Sequence, residues 1–162
     1  MTGKARRVAA NGTRLTTAVP KPFWQEGWLA QHDRLIASLA AMRARSPLVI
    51  SGDLHAVGLG QMLRSGSLDL HATPITIALA GPIGTSPSGW PSAFRRVGPT
   101  VPAHLDMREE VAPIEQHGFT LVDFLPDRLV LRFFKWDVKS QSPEAIDRLE
   151  PFHVAERRRS TD

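Results

Sequence analysis

The stretch from Phe119 to Trp136 limits what this chain can become more than any other part of it. Phe119-Thr120-Leu121-Val122-Asp123-Phe124 and Arg128-Leu129-Val130-Leu131-Arg132-Phe133-Phe134-Lys135-Trp136 are strand-like runs, separated by Leu125-Pro126-Asp127. Proline presets φ and aspartate bonds nearby backbone, so the three-residue separator reads as a turn and the whole as a β-hairpin. Strand side chains alternate between faces. Leu129, Leu131 and Phe133 therefore share one face, with Arg128, Val130, Arg132 and Phe134 on the other. One face of the hairpin is expected in a core.

A second periodic segment lies upstream. Trp28, Leu35, Ile36, Leu39 and Met42 recur at helical spacing, and alanines between them favour helix. The spacing predicts a helix over 28–45, stopped by Ser46-Pro47. Leu48-Val49-Ile50 follows as a short buried strand within 47–51, and Ser51-Gly52-Asp53-Leu54-His55 follows it at once. Helix, strand and polar loop make half of a βαβ unit. Val57 to Leu63 carries Gly58 and Gly60, which argue against helix and favour an irregular strand. Pro74 to Ala80 reads as another strand, followed by a long Gly-, Pro- and Ser-rich loop from Gly81 to Ser92. That loop, with Trp90, is either a substrate loop or a surface connection with one anchoring tryptophan. Residues 98–118 show no clear period.

Composition bounds the rest. A chain of 162 residues fits one domain, and 13 prolines and 12 glycines predict short elements with many loops. There is no cysteine, which excludes disulfides, thiolate metal sites and a thiol nucleophile. The net charge of +4 is concentrated at Lys4, Arg6, Arg7 and Arg14 and at Arg157, Arg158 and Arg159. These read as solvated tails rather than nucleic-acid contacts, because no aromatic residues interleave with them. No apolar run approaches the roughly 20 residues of a membrane span. Arg6-Arg7 is not a twin-arginine signal, since no long apolar segment follows it, and no compartment is assigned. The expected organisation is a poorly ordered basic lead-in over 1–22, a folded unit over 23–138 and a charged tail over 139–162, in which Pro151-Phe152-His153-Val154 docks as a short segment.

Asp53 and His55 are the candidate site. They stand two apart after a buried strand, and in an extended loop both can reach one point. Neutral imidazole and carboxylate are good ligands for divalent transition metals. Gly52 allows a sharp turn there. The same residues also describe a strand end with a capping aspartate and a surface histidine. His32, His71, His104, His117 and His153 form no second tight cluster in the sequence. Ser51 lacks the Gly-x-Ser-x-Gly surroundings of a hydrolase nucleophile, and no phosphate-cradling glycine loop is present.

Phe23-Trp24-Gln25-Glu26-Gly27-Trp28, Arg34-Leu35-Ile36 and Leu48-Val49-Ile50-Ser51-Gly52-Asp53-Leu54-His55-Ala56 together resemble the late segment of alkaline phosphatase D (PhoD-like) metallophosphatases. Gly118-Phe119-Thr120-Leu121-Val122-Asp123-Phe124 is similar to that family's closing strands. The resemblance spans roughly residues 20 to 138. It implies an α/β fold, the C-terminal half of a calcineurin-like metallophosphoesterase β-sandwich flanked by helices. It implies that His55 binds a metal and that Asp53 binds or orients the centre, making both catalytic. The cofactors would be divalent or trivalent ions: iron, calcium, manganese or zinc. The substrate would be a phosphate mono- or diester, attacked in line by a metal-bound hydroxide.

The family's earlier motifs, of Asp-x-His, Gly-Asp-x-x-Asp and Asn-His types, are not found here, and the residues before Phe23 carry no Asp, Glu or His. The expectation is a metallophosphatase part that is incomplete alone and partnered by a complementing N-terminal chain or by a second copy of itself, with an apolar sheet edge or face left uncovered. The alternative is a non-catalytic binding or structural module that keeps the back half of the fold. Neither reading involves nucleic acid or a membrane.

Overall fold

The computed structural model describes residues 26–42, 45–52, 54–83, 101–137 and 139–158. Its elements are one helix, α1 (Glu26–Ala40), and eight strands: β1 (Leu48–Ser51), β2 (Val57–Ser65), β3 (Leu68–Asp69), β4 (Ile75–Ala80), β5 (Leu105–Ile114), β6 (Gly118–Phe124), β7 (Arg128–Lys135) and β8 (His153–Arg158). A short 3-10 helix, Pro143–Arg148, precedes β8. The expected lead-in and most of the Gly81–Ser92 loop, Trp90 included, lie outside the described residues.

Two sheets result. In the first, β4 lies between β1 and β2, and β2 also pairs with β3 and β5. Only the β1–β4 pair is parallel; the others are antiparallel. Met62 of β2 faces Ile75 on one side and Met107 on the other, which makes β2 the spine of the sheet. The second sheet is β6-β7-β8, antiparallel throughout.

Alternation along the strands decides the layers. Val57, Leu59, Ala78 and Val111 of the first sheet meet Leu131, Phe133 and Ala155 of the second in one core. The opposite face, with Met62 and Ile75, packs on Ile36 and Leu39 of α1. Helix, mixed sheet and antiparallel sheet therefore stack in order, an α/β arrangement dominated by strands. Phe133 and Leu131 have no exposed surface, and each contributes about 1.5–3 kcal/mol by leaving water.

The hairpin is found where the sequence places it, in the register Phe119↔Phe134, with these two rings stacked at 4.7 Å. The strands over 48–51, 57–65 and 75–80 also agree with the reading, and the helix agrees in kind but stops at Ala40. Met42 N–H bonds Leu39 carbonyl, a tightened last turn that ends the helix before Arg45. The apolar stripe is narrower than the spacing suggests, since Ile36 and Leu39 are buried while Leu35 and Met42 are 52% and 44% exposed.

Three other findings go beyond the sequence. First, β1 follows α1 as half of a βαβ unit would have it, the residues before α1 lying outside the described ones, while its parallel neighbour β4 is reached through the β2–β3 hairpin. Among the described residues β1 has a strand on one side only, and Ile50 is 47% exposed. Secondly, 105–114 is a ten-residue strand that the sequence hides. Register shifts between Val57 and Leu59, Leu59 and Gly60, and Met62 and Arg64 break its alternation against β2, so no period of two survives. Thirdly, the charged region after Lys139 is not simply a tail. Residues 153–158 pair with β7 from Phe133↔His153 to Arg128↔Arg158. Ala155 is buried and Arg157 is partly so, and neither type advertises an inward face.

Two glycines are required where the sheets join. Gly81 has φ 90°, and a Cβ there would stand 2.6 Å from Gly118 oxygen. A Cβ on Gly118 would collide with Phe134 oxygen and the Val57 side chain. We expect Gly118→Ala to lower stability by about 1–3 kcal/mol through overpacking and Phe133→Ala by about 3–5 kcal/mol. Phe124→Ala, at a residue 72% exposed, should change it by less than about 1 kcal/mol. Urea denaturation of the three variants checks this ranking.

Candidate functional site

β1 carries the candidate segment to the end of the first sheet. Ser51 pairs with Leu79, and the chain then leaves the sheet before re-entering it at Val57, opposite Ala80. Ala56 and Val57 are 3% and 0% exposed, so they fix where the segment returns. His55 stands immediately before them, partly exposed, with a left-handed φ of 51°. It is the one non-glycine residue with positive φ among the described residues. Histidine tolerates this region better than most residues, but holding it there still costs about 1 kcal/mol. Gly52, expected to supply the sharp turn, does not have positive φ, and a Cβ there would meet nothing within 4 Å. The special backbone thus falls on the histidine rather than the glycine. Asp53 lies outside the described residues.

Strand register brings other groups to the same end of the molecule. Val57 pairs with Ile114 as well as with Ala80. Glu115 and His117 follow Ile114, and Gly118 N–H bonds Pro82 carbonyl at 3.2 Å. His117 is 6% exposed and meets the Trp136 ring edge-on at 6.2 Å. His55, Glu115, His117 and Trp136 therefore share one end, although 81 residues separate the first from the last. Nothing in the local sequence marks this; only the pairing of β2 with β4 and β5 does.

The other histidines lie elsewhere. His32 is on α1, 3.2 Å from Asp33. His71 and His104 are at the opposite end of the first sheet, beside the Gly66 turn. There His104 carbonyl accepts from Gly66 N–H and from Arg64. Asp69 accepts from the backbone N–H of His71 at 2.9 Å and contacts its ring at 2.6 Å. The backbone bond, then the ring, holds the Asp69 carboxyl below its ordinary range. His153 packs beside Phe133 at 6.0 Å. Among the described residues, no three His, Asp or Glu side chains are grouped to hold a metal ion.

Two clefts open elsewhere, and neither is lined by His55 or its neighbours from 51 to 57. One, of about 500 Å³, lies between Met42, Leu48, Phe124 and Leu125. The other, of about 400 Å³, lies around Thr76, Gln61 and Arg108.

Two outcomes follow from this geometry. His55→Gly should leave the melting temperature unchanged or raise it, whereas His55→Val should cost about 1–2 kcal/mol, because a β-branched residue resists left-handed φ. Thermal melts of both variants check it. A carboxylate held low stabilises the fold above its unfolded pKa and loses that contribution as pH falls through its folded value. The Asp69–His71 turn should accordingly loosen only below about pH 4, read by the amide signals of Leu70 and His71 during acid titration. Compared with protein-family models, curated proteins and solved structures, the chain matches none.

Proposed function

We propose that this chain is the C-terminal part of a metal-dependent phosphatase of the alkaline phosphatase D kind, acting on phosphate esters in its complete form. On this reading its stacked sheets are the back half of a calcineurin-like sandwich. The observation that carries the proposal is the position of the Ser51–His55 segment. It leaves the carboxyl end of a strand parallel to β4, and its histidine is held in a left-handed conformation against buried Ala56 and Val57. The segment lies at the carboxyl end of the parallel β1–β4 pair, the edge at which mostly parallel α/β sheets bind ligands.

His55 is then a metal-directed imidazole with Asp53 beside it. The described residues do not amount to a metal centre, since His55 belongs to no group of three ligands. No catalytic step is assigned to the chain on its own. The remaining ligands would come from a complementing N-terminal chain or a second copy. The ion would be iron, calcium, manganese or zinc. A second reading, a non-catalytic binding module, is favoured by the two clefts lying away from His55.

The purified chain, assayed on a chromogenic phosphomonoester and a phosphodiester with each of those metals, should show no turnover. It should bind metal weakly, and His55→Ala should abolish that binding. Turnover that disappears in His55→Ala would overturn the incompleteness. Absence of any His55-dependent metal binding would overturn the phosphatase assignment in favour of the module.

A further inference from the structure

Two of the arginines expected to trail in solvent, Arg157 and Arg158, instead belong to a paired strand. β8 carries Arg157 and Arg158 along β7 to the amino end of β1, far from the Ser51–His55 end. Ser46 hydroxyl bonds Arg158 carbonyl at 2.6 Å, tying the entry of β1 to the exit of β8. Arg157, with 15% of its side chain exposed, spans the two sheets. Its Nε donates to Thr76 Oγ1 at 3.0 Å and its terminal nitrogen to Glu110 at 2.5 Å. Thr76 is 1% exposed. From β5, Arg108 donates to the buried amide oxygen of Gln61.

Arg45, Ser46 and Arg157 line both clefts and form the wall they share, while Gln61, Thr76, Arg108, Glu110 and Arg158 line the second alone. Together the linings contain five arginines and two glutamates, an excess of three positive charges. Of the five, Arg157 is held by Glu110, and Arg128 by Asp127 and Glu156. Arg108 rests on a neutral amide, which orients the guanidinium without neutralising it. The other cleft is different in kind. Phe124 and Leu125 line it at 72% and 38% exposure, with Met42 at 44%. Phe124, Leu125 and Met42 thus offer a small exposed apolar surface beside a cationic wall.

We propose that the joined clefts bind a small amphipathic anion. Its carboxylate or phosphate head lies among Arg45, Arg108 and Arg158, and its flat apolar body lies over Phe124 and Leu125. Guanidinium forks match the two oxygens of such a head group, and a partly enclosed site strengthens each contact relative to open water. Concave sites that combine an apolar wall with a few convergent polar groups are the usual form of small-molecule sites. The volumes suit a head group in one cleft and a one- or two-ring body in the other. This site shares no residue with the Ser51–His55 segment and does not depend on the phosphatase reading.

The test is calorimetric titration of the full chain with 1-naphthyl phosphate in the presence of a chelator, beside inorganic phosphate and 1-naphthol. We expect saturable one-to-one binding of naphthyl phosphate, weaker binding of each half, and loss of affinity with rising salt. Arg45→Gln and Arg108→Gln, both at exposed side chains, should each weaken naphthyl phosphate by about tenfold. Phe124→Ser should weaken naphthyl phosphate while leaving inorganic phosphate unchanged. His55→Ala should alter none of these values. Thermal melts establish that each variant is folded. Absence of saturable binding in the folded wild-type chain, or binding indifferent to both arginine substitutions, would overturn the proposal. Binding abolished by His55→Ala would place the anion at the other end of the molecule and overturn it equally.

Discussion

Everything in this molecule hangs on the contact between Val57, Leu59 and Ala78 on one sheet and Leu131, Phe133 and Ala155 on the other. Among the described residues the two sheets share no strand pairing, and this apolar layer, with the hydrogen bonds of Arg157 and Thr120 that cross it, fixes one sheet against the other. The residues come from β2, β4, β7 and β8, segments that span most of the chain. The close approach of Gly118 to Val57 and Phe134 sets how near the sheets lie at one margin, because no side chain fits between them. The helix is a secondary support: Ile36 and Leu39 cover the far face of the same sheet.

That layer separates two ends with different chemistry. At the carboxyl end of β1 lie a strained histidine and a buried one, with an aromatic ring beside them and an acidic residue nearby. At the amino end the exit of β8 meets the entry of β1, and arginines outnumber acids. Placing the C-terminal arginines at the amino end of β1 is a consequence of antiparallel β7–β8 pairing, which returns the basic C-terminal segment to where β1 starts. The phosphatase reading draws on the first end and the anion site on the second.

The hairpin over 118–135 was legible because two runs rich in β-branched and aromatic residues flank a turn with its own chemistry. The strand before Ser51 and the one over 75–80 were legible for a related reason: β-branched residues run together there. β5 was not, since bulges in its pairing with β2 move side chains from face to face and erase the period. β8 was hidden for another reason. Its inward positions are His153, Ala155 and Arg157, and a buried arginine bonded to Thr76 and Glu110 looks like a solvated one until its partners are known. Ser51, Gly52 and His55 could be singled out as a loop after a strand, but no sequence signal marked His55 for a left-handed φ.

The sequence by itself determined the local elements: where period-two alternation or helical spacing was strong enough to commit the backbone, and where a polar segment had to follow a strand. Only the tertiary structure decided which of those elements are neighbours. It put His117 and Trp136 at the same end as His55, gave β1 a parallel partner reached through a hairpin, and turned a basic segment into the wall of a cleft. The physical reason is that pairing partners as far apart in sequence as Val57 and Ile114 are chosen by the burial of whole faces, and a single strand's pattern carries only its own half of that choice.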